Sequence, residues 1–125
     1  MKVGLLQFDI AWEKKDENFR AVERMLEDCR EREPDLVVLP EMFATGFSMK
    51  TDEIAEPIGG ETHQFLRRMA RQFRIYIVGG LVERGSEKGR NVVLAFDPEG
   101  ALLGRSEKIH PFSLQKEDRH YEAGD

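Results

Sequence analysis

The chain has 125 residues, 40% hydrophobic and 34% charged, with 19 Lys and Arg against 24 Asp and Glu for a formal net charge of -5. That length holds one domain or part of a larger one, and the acidic balance supplies no basic footprint for nucleic acid. Apolar stretches run to a few residues where a bilayer span needs about 18, and the single cysteine, Cys29, excludes an internal disulfide and any multi-cysteine zinc site. A cytoplasmic protein with no nucleic-acid or membrane partner is expected.

Residues 3–10 form an apolar run of strand length, and residues 36–39 a shorter one that reads as buried on both faces, so both are expected as central strands. Between them, residues 15–32 set Phe19, Val22, Leu26 and Cys29 at three- and four-residue intervals, one apolar stripe on an otherwise charged helix. Cys29 on that stripe reads as a core residue. Strand, helix, strand predicts a right-handed parallel crossover. Past an irregular stretch over residues 42–60, a second amphipathic helix fits residues 62–73, with Thr62 as N-cap and Phe65, Leu66, Met69 and Phe73 facing inward.

Residues 75–82, 91–96 and 101–107 then read as three strands, joined by a loop at 84–90 and the turn Asp97-Pro98-Glu99-Gly100, an antiparallel meander. The sum is an α/β chain with a mixed sheet, helices on one face, and apolar strands that ask for cover on the other. No repeat, linker or compositional shift marks a boundary, so residues 1–125 read as one continuous unit. No further helix follows Tyr121 to supply the cover; a partner chain or a longer polypeptide is expected to provide it.

Glu41 comes directly after Pro40 at the end of the buried strand. In parallel sheets reacting groups gather just beyond the carboxyl ends of strands, where a carboxylate loses part of its hydration and becomes better suited to general-base work. The same position also suits a helix cap or a solvated loop glutamate. Lys108 stands in the equivalent place after the last predicted strand, able to stabilise negative charge on a tetrahedral intermediate with Glu41 or Glu117 as its counter-charge, or to be an ordinary surface lysine. His110, Glu117 and His120 fit none of the compact zinc spacings, and neither Gly-x-Gly-x-x-Gly nor a phosphate-binding Gly-x-x-x-x-Gly-Lys-Ser/Thr occurs, so no metal and no cofactor are expected. Ser113 beside His110 is a weak nucleophile pair without an evident oxyanion hole.

Taken together, Leu39-Pro40-Glu41-Met42-Phe43 followed by Thr45-Gly46-Phe47-Ser48-Met49, then Lys108-Ile109-His110-Pro111-Phe112-Ser113, then Glu117, Tyr121 and Gly124, resemble the nitrilase superfamily of carbon-nitrogen hydrolases. Gln7, Asp9, Asn18, Gly79-Gly80, Asn91 and Pro98-Glu99-Gly100 extend the resemblance over the whole chain, and the Thr-Gly-Phe-Ser-Met and Lys-Ile-His-Pro-Phe segments are most similar to omega-amidase-like members. The resemblance implies the N-terminal part of a four-layer α-β-β-α sandwich, usually dimerised through helices. It implies an amidase acting on a small amide, with the general-base glutamate at Glu41, the lysine at Lys108 and an additional glutamate at Glu117. The family's nucleophilic cysteine would fall downstream of Lys108, beyond position 125, so these residues alone are expected to be inactive unless a second chain completes the site. A truncated, non-catalytic interaction module of the same fold is the alternative. Glu41 and Lys108 should converge in an enzyme-derived site and need not in such a module. Little change or a gain in thermal stability in Glu41→Gln and Lys108→Met would favour a functional origin for the two residues, since sites often trade stability for activity.

Overall fold

A computed structural model describes residues 1–125, apart from the side chain of Gln115. The elements in chain order are β1 (Val3–Leu5), α1 (Lys15–Cys29), β2 (Leu36–Val38), α2 (Thr51–Ile54), α3 (Glu61–Phe73), β3 (Tyr76–Arg84), β4 (Gly89–Phe96) and β5 (Leu102–Glu107), followed by short 3-10 turns. The strands make one sheet in the order β1-β2-β3-β4-β5. β1, β2 and β3 are parallel, with Val37 between Gly4 and Ile77; β3, β4 and β5 form the antiparallel meander.

Alternation along the strands sends Val37, Ile77, Leu81, Leu94 and Phe96 to one face, where α1 and α3 pack. The α1 stripe delivers Val22 and Leu26, and α3 delivers Phe65, Leu66, Met69 and Ala70, all buried. Phe19 stacks on Phe65 with centroids 4.3 Å apart, and Phe43 tilts against both. Each fully buried Val, Leu, Phe or Met among them contributes roughly 1.5–3 kcal/mol. On the opposite face Val3, Leu5, Tyr76 and Val93 are exposed beside half-buried Val38 and Val78. One helical layer on one sheet layer, with the second sheet face bare, is the N-terminal portion of the four-layer sandwich. Among the described residues no helix is long and apolar enough to cross a membrane.

Several expected boundaries move, each for a local reason. The strand expected over 3–10 stops at Leu5, with one further bond from Leu6 N–H to the Val38 carbonyl. The next rung of a parallel ladder would come from the N–H of residue 40, and Pro40 has none. The first helix ends at Cys29, tightens into a 3-10 turn over Arg30–Arg32 and stops where Glu33 enters the left-handed region at φ 46° ahead of Pro34. Thr62 is not the N-cap of the second helix. Gly60 holds that position, and the N–H and hydroxyl of Thr62 both donate to the buried carboxylate of Glu56, which caps the helix from outside it and pairs with Lys15 at 3.0 Å.

The loop expected at 84–90 shrinks to 85–88 because β3 and β4 extend their ladder to Arg84 and Gly89. Glu122 closes it, accepting the Glu87 N–H at 3.0 Å, Arg90 Nε at 2.9 Å and the Ser86 hydroxyl at 2.9 Å. Those donors, the Glu87 N–H foremost, hold the Glu122 carboxyl down from 4.5 to about 2. A carboxylate depressed in the folded state stabilises above its ordinary range and loses that contribution as pH falls toward the depressed value. Glu122→Gln is therefore expected to lower the melting temperature at pH 7, with parent and variant converging as pH drops from 4.5 to about 2. Parallel melting curves across that window would refute it.

Candidate active site

The chain leaves β2 through Leu39 and Pro40 and turns at once, the N–H groups of Thr45 and Gly46 both returning to the Met42 carbonyl. Met42 sits in the left-handed region at φ 49°, where a side chain is rarely found. The turn lies directly on β3. A Cβ at Gly80 would stand 2.9 Å from Met42 N and 3.1 Å from Glu41 Cα, so only glycine lets the backbone come this close. Gly80→Ala is expected to cost about 1–3 kcal/mol in urea unfolding and to displace Glu41, because the obstruction is main chain and cannot rotate away.

Lys108 follows β5, and its N–H donates to the Asn91 carbonyl at 2.8 Å, which fixes the lysine beside β4. Its Nζ lies 3.1 Å from Glu41 Oε1, 3.1 Å from Glu117 Oε2 and 5.2 Å from the centroid of the Phe47 ring. Burial pulls the Lys108 ammonium down, but its hydrogen bonds to Glu41 and Glu117 and their charges outweigh that, and the net shift is upward from 10.5. The group is a cation throughout the neutral range.

Glu117 is completely buried, and its Oε2 also accepts the Phe112 N–H at 2.5 Å. A buried carboxylate is tolerable only with such partners. Asn91 Nδ2 joins the two acids, 2.5 Å from Glu41 Oε1 and 3.5 Å from Glu117 Oε1. Tyr121, buried nearby, donates its hydroxyl to the Ser48 carbonyl at 2.5 Å and ties the last segment to the loop after Glu41. Burial, then the Glu117 and Glu41 charges, push that hydroxyl well above the usual tyrosine range, so it remains a neutral donor.

The structure thus brings Glu41, Lys108 and Glu117 together. It shields Glu41 only in part, its side chain being 49% exposed. The reason is its position at the rim of the bare sheet face, where an open depression of about 460 Å³ runs over Val38, Val78, Gly80, Val93 and Ser106. Dehydration of this carboxylate has to come from whatever covers that face.

Glu117 turns to Lys108 and Phe112 rather than to His110 or His120, and no group of three or more His, Cys, Asp or Glu among the described residues could hold a metal ion. Ser113 is exposed. Cys29 packs against the helix-side core at the far end of α1. Asn18, near the start of that helix, reaches the Ala44 carbonyl in the loop after Glu41, and Cys29 lies eleven residues, about 16 Å, further along. No described thiol approaches the cluster. Two neighbours escaped a reading for chemistry. Asn91 could have been flagged as an amide inside a strand, where asparagine is depleted; nothing in the sequence flags Phe47 as the floor beneath Lys108.

The profile of the carbon-nitrogen hydrolase family matches residues 2–125. The chain is 32% identical over 124 residues to the 2-oxoglutaramate amidase of Bacillus subtilis, covering 98% of this chain and 48% of that protein. It is 35% identical to the omega-amidase YafV of Yersinia enterocolitica, covering 99% and 47%. Among solved structures, XC1258 from Xanthomonas campestris, a CN-hydrolase superfamily protein with an arsenic adduct in its active site, superposes with a TM-score of 0.89 at 31% identity over 98% of this chain and 46% of that one. The chain spans about half the length of the curated relatives it matches. With a matching profile over nearly every residue and a superposable fold, the chain belongs to the carbon-nitrogen hydrolase family.

Proposed function

We propose that these residues carry the acid-base and electrostatic half of an amidase site of omega-amidase type, acting on the terminal amide of short dicarboxylic or 2-oxo acid monoamides. Glu41 is the general base, Lys108 stabilises the tetrahedral intermediate, and Glu117 holds Lys108 in place and charged. The observation that carries the reading is the single ammonium of Lys108 set 3.1 Å from each of two carboxylates. A non-catalytic interaction module has no need of that convergence.

The nucleophile is a cysteine thiol from outside these 125 residues, supplied by further polypeptide or by a second chain that also covers the bare sheet face. Glu41 takes the thiol proton as sulfur bonds to the amide carbon, and the oxyanion faces Lys108. Collapse breaks the C–N bond; the nitrogen takes the proton from Glu41 and leaves as ammonia. Water then adds to the thioester, giving a proton to Glu41, and the C–S bond breaks to release the acid and restore the thiol. The sum is amide plus water to carboxylic acid plus ammonia, with no cofactor. Its setting is the cytoplasm, and its assembly a homo-oligomer or a completing second chain.

The test is ammonia release from such monoamides by the natural gene product, with its intact mass measured alongside. No release would overturn the amidase reading. Turnover by a pure 125-residue species would overturn the outside source of the thiol.

A further inference from the structure

Asn91 lies in β4 among Val92, Val93 and Leu94, and its backbone is already occupied: the residue pairs with Val82 across the ladder, and its carbonyl accepts the Lys108 N–H. Nothing in that pairing asks for an amide side chain, and a buried carboxamide costs stability unless its donors are used. Here the two hydrogens on Nδ2 face two carboxylates, Glu41 Oε1 at 2.5 Å and, more weakly, Glu117 Oε1 at 3.5 Å. Lys108 donates to the same Oε1 of Glu41. Two donors therefore converge on one oxygen of Glu41, while no described residue donates to the other.

Accepting Glu41 as the base of the proposed function, we infer that Asn91 is its positioning residue: the carboxamide pins Oε1, leaving Oε2 free to take the proton. The charges favour a neutral donor here. Glu41 and Glu117 share the one cation of Lys108, and the nearby Tyr121 hydroxyl is committed to the Ser48 carbonyl, so the cluster retains one negative charge in excess. Asparagine eases the repulsion between the two acids without neutralising the base, as a second cation would. Aspartate would add a third negative charge, and leucine would leave the two acids with only Lys108 between them.

The experiment is made in the natural gene product that carries the thiol, and compares the parent with Asn91→Ala and with Asn91→Leu, which keeps the volume filled if the smaller side chain unfolds the protein. With ammonia release as the assay, kcat should fall roughly ten- to a hundredfold with KM changed less than about threefold, because reach of the base is lost and substrate binding is not. The acid limb of kcat/KM should move up, since a donor to a carboxylate favours its ionised form. Asn91→Ser, which restores a donor, should recover part of that shift. A merely structural asparagine would lower the melting temperature and leave the acid limb in place, and that result overturns the inference.

Failure of the underlying reading looks different, because Glu41→Gln would then retain activity. If Glu41→Gln is inactive while Asn91→Leu matches the parent in kcat and pH profile, only the role of Asn91 falls. A further readout needs no turnover. The side-chain amide protons of Asn91, identified by their absence from the Asn91→Ala spectrum, should lie downfield at neutral pH and move as the carboxylates are protonated. Amide signals indifferent to pH overturn the inference whatever the activity.

Discussion

Glu41→Gln is expected to lower kcat for ammonia release by roughly 10²- to 10⁴-fold, the range that a positioned general base supplies, while the folded protein loses little. Glutamine keeps the length of the side chain and a carbonyl oxygen able to accept Asn91 and Lys108, so the geometry at 2.5 and 3.1 Å has no cause to collapse. What disappears is the proton acceptor. Removing one of two carboxylates that share one ammonium also relieves repulsion, and the substituted side chain is half exposed. The melting temperature should therefore stay level or rise. A loss of activity below tenfold would take the base role away from Glu41, and a large drop in stability would give it a structural one.

This pairing of large kinetic and small thermal effect follows from where Glu41 sits, and the location was legible in the sequence. Pro40 after four apolar residues ends the strand, and the end of a parallel strand is where side chains emerge above the sheet. The positions of α1 and α3 were equally plain, because their stripes repeat at helical spacing and the stripe residues are buried or half-buried against the core. Less legible was whatever depends on a partner distant in sequence. Thr62 looks like a cap because a threonine before a helix usually is one; only the fold brings Glu56 to it. The strand expected to reach Ile10 fails through a proline on the neighbouring strand, which no reading of residues 3–10 by themselves reveals. The degree to which Glu41 is shielded was not legible either, because it depends on the bare sheet face beside it.

Lys108→Met is the second large expected effect, and unlike Glu41→Gln it is expected to lower stability as well as activity. Glu41 can lose its partner to water. Glu117 cannot, being completely buried with Lys108 as its only described cationic partner. Removing one member of a buried pair typically costs 3–5 kcal/mol, but Lys108 is about a third exposed and Glu117 keeps the Phe112 N–H, so about 2 kcal/mol is the expected scale. For a chain of this size that lowers the melting temperature by about 8 °C.

The pH dependence of the parent has a fixed sign. The ammonium is raised above 10.5 in the folded state, so its contribution is complete at neutral pH and is lost only as pH climbs through that raised value. Lys108→Met combined with Glu117→Leu should recover much of the lost stability, because an apolar pair of similar volume can replace a buried ion pair at little cost. It should recover none of the activity, since the oxyanion partner is still absent. If Lys108→Met melts with the parent, the buried carboxylate of Glu117 does not depend on this cation, and the anchoring role assigned to the pair fails with it.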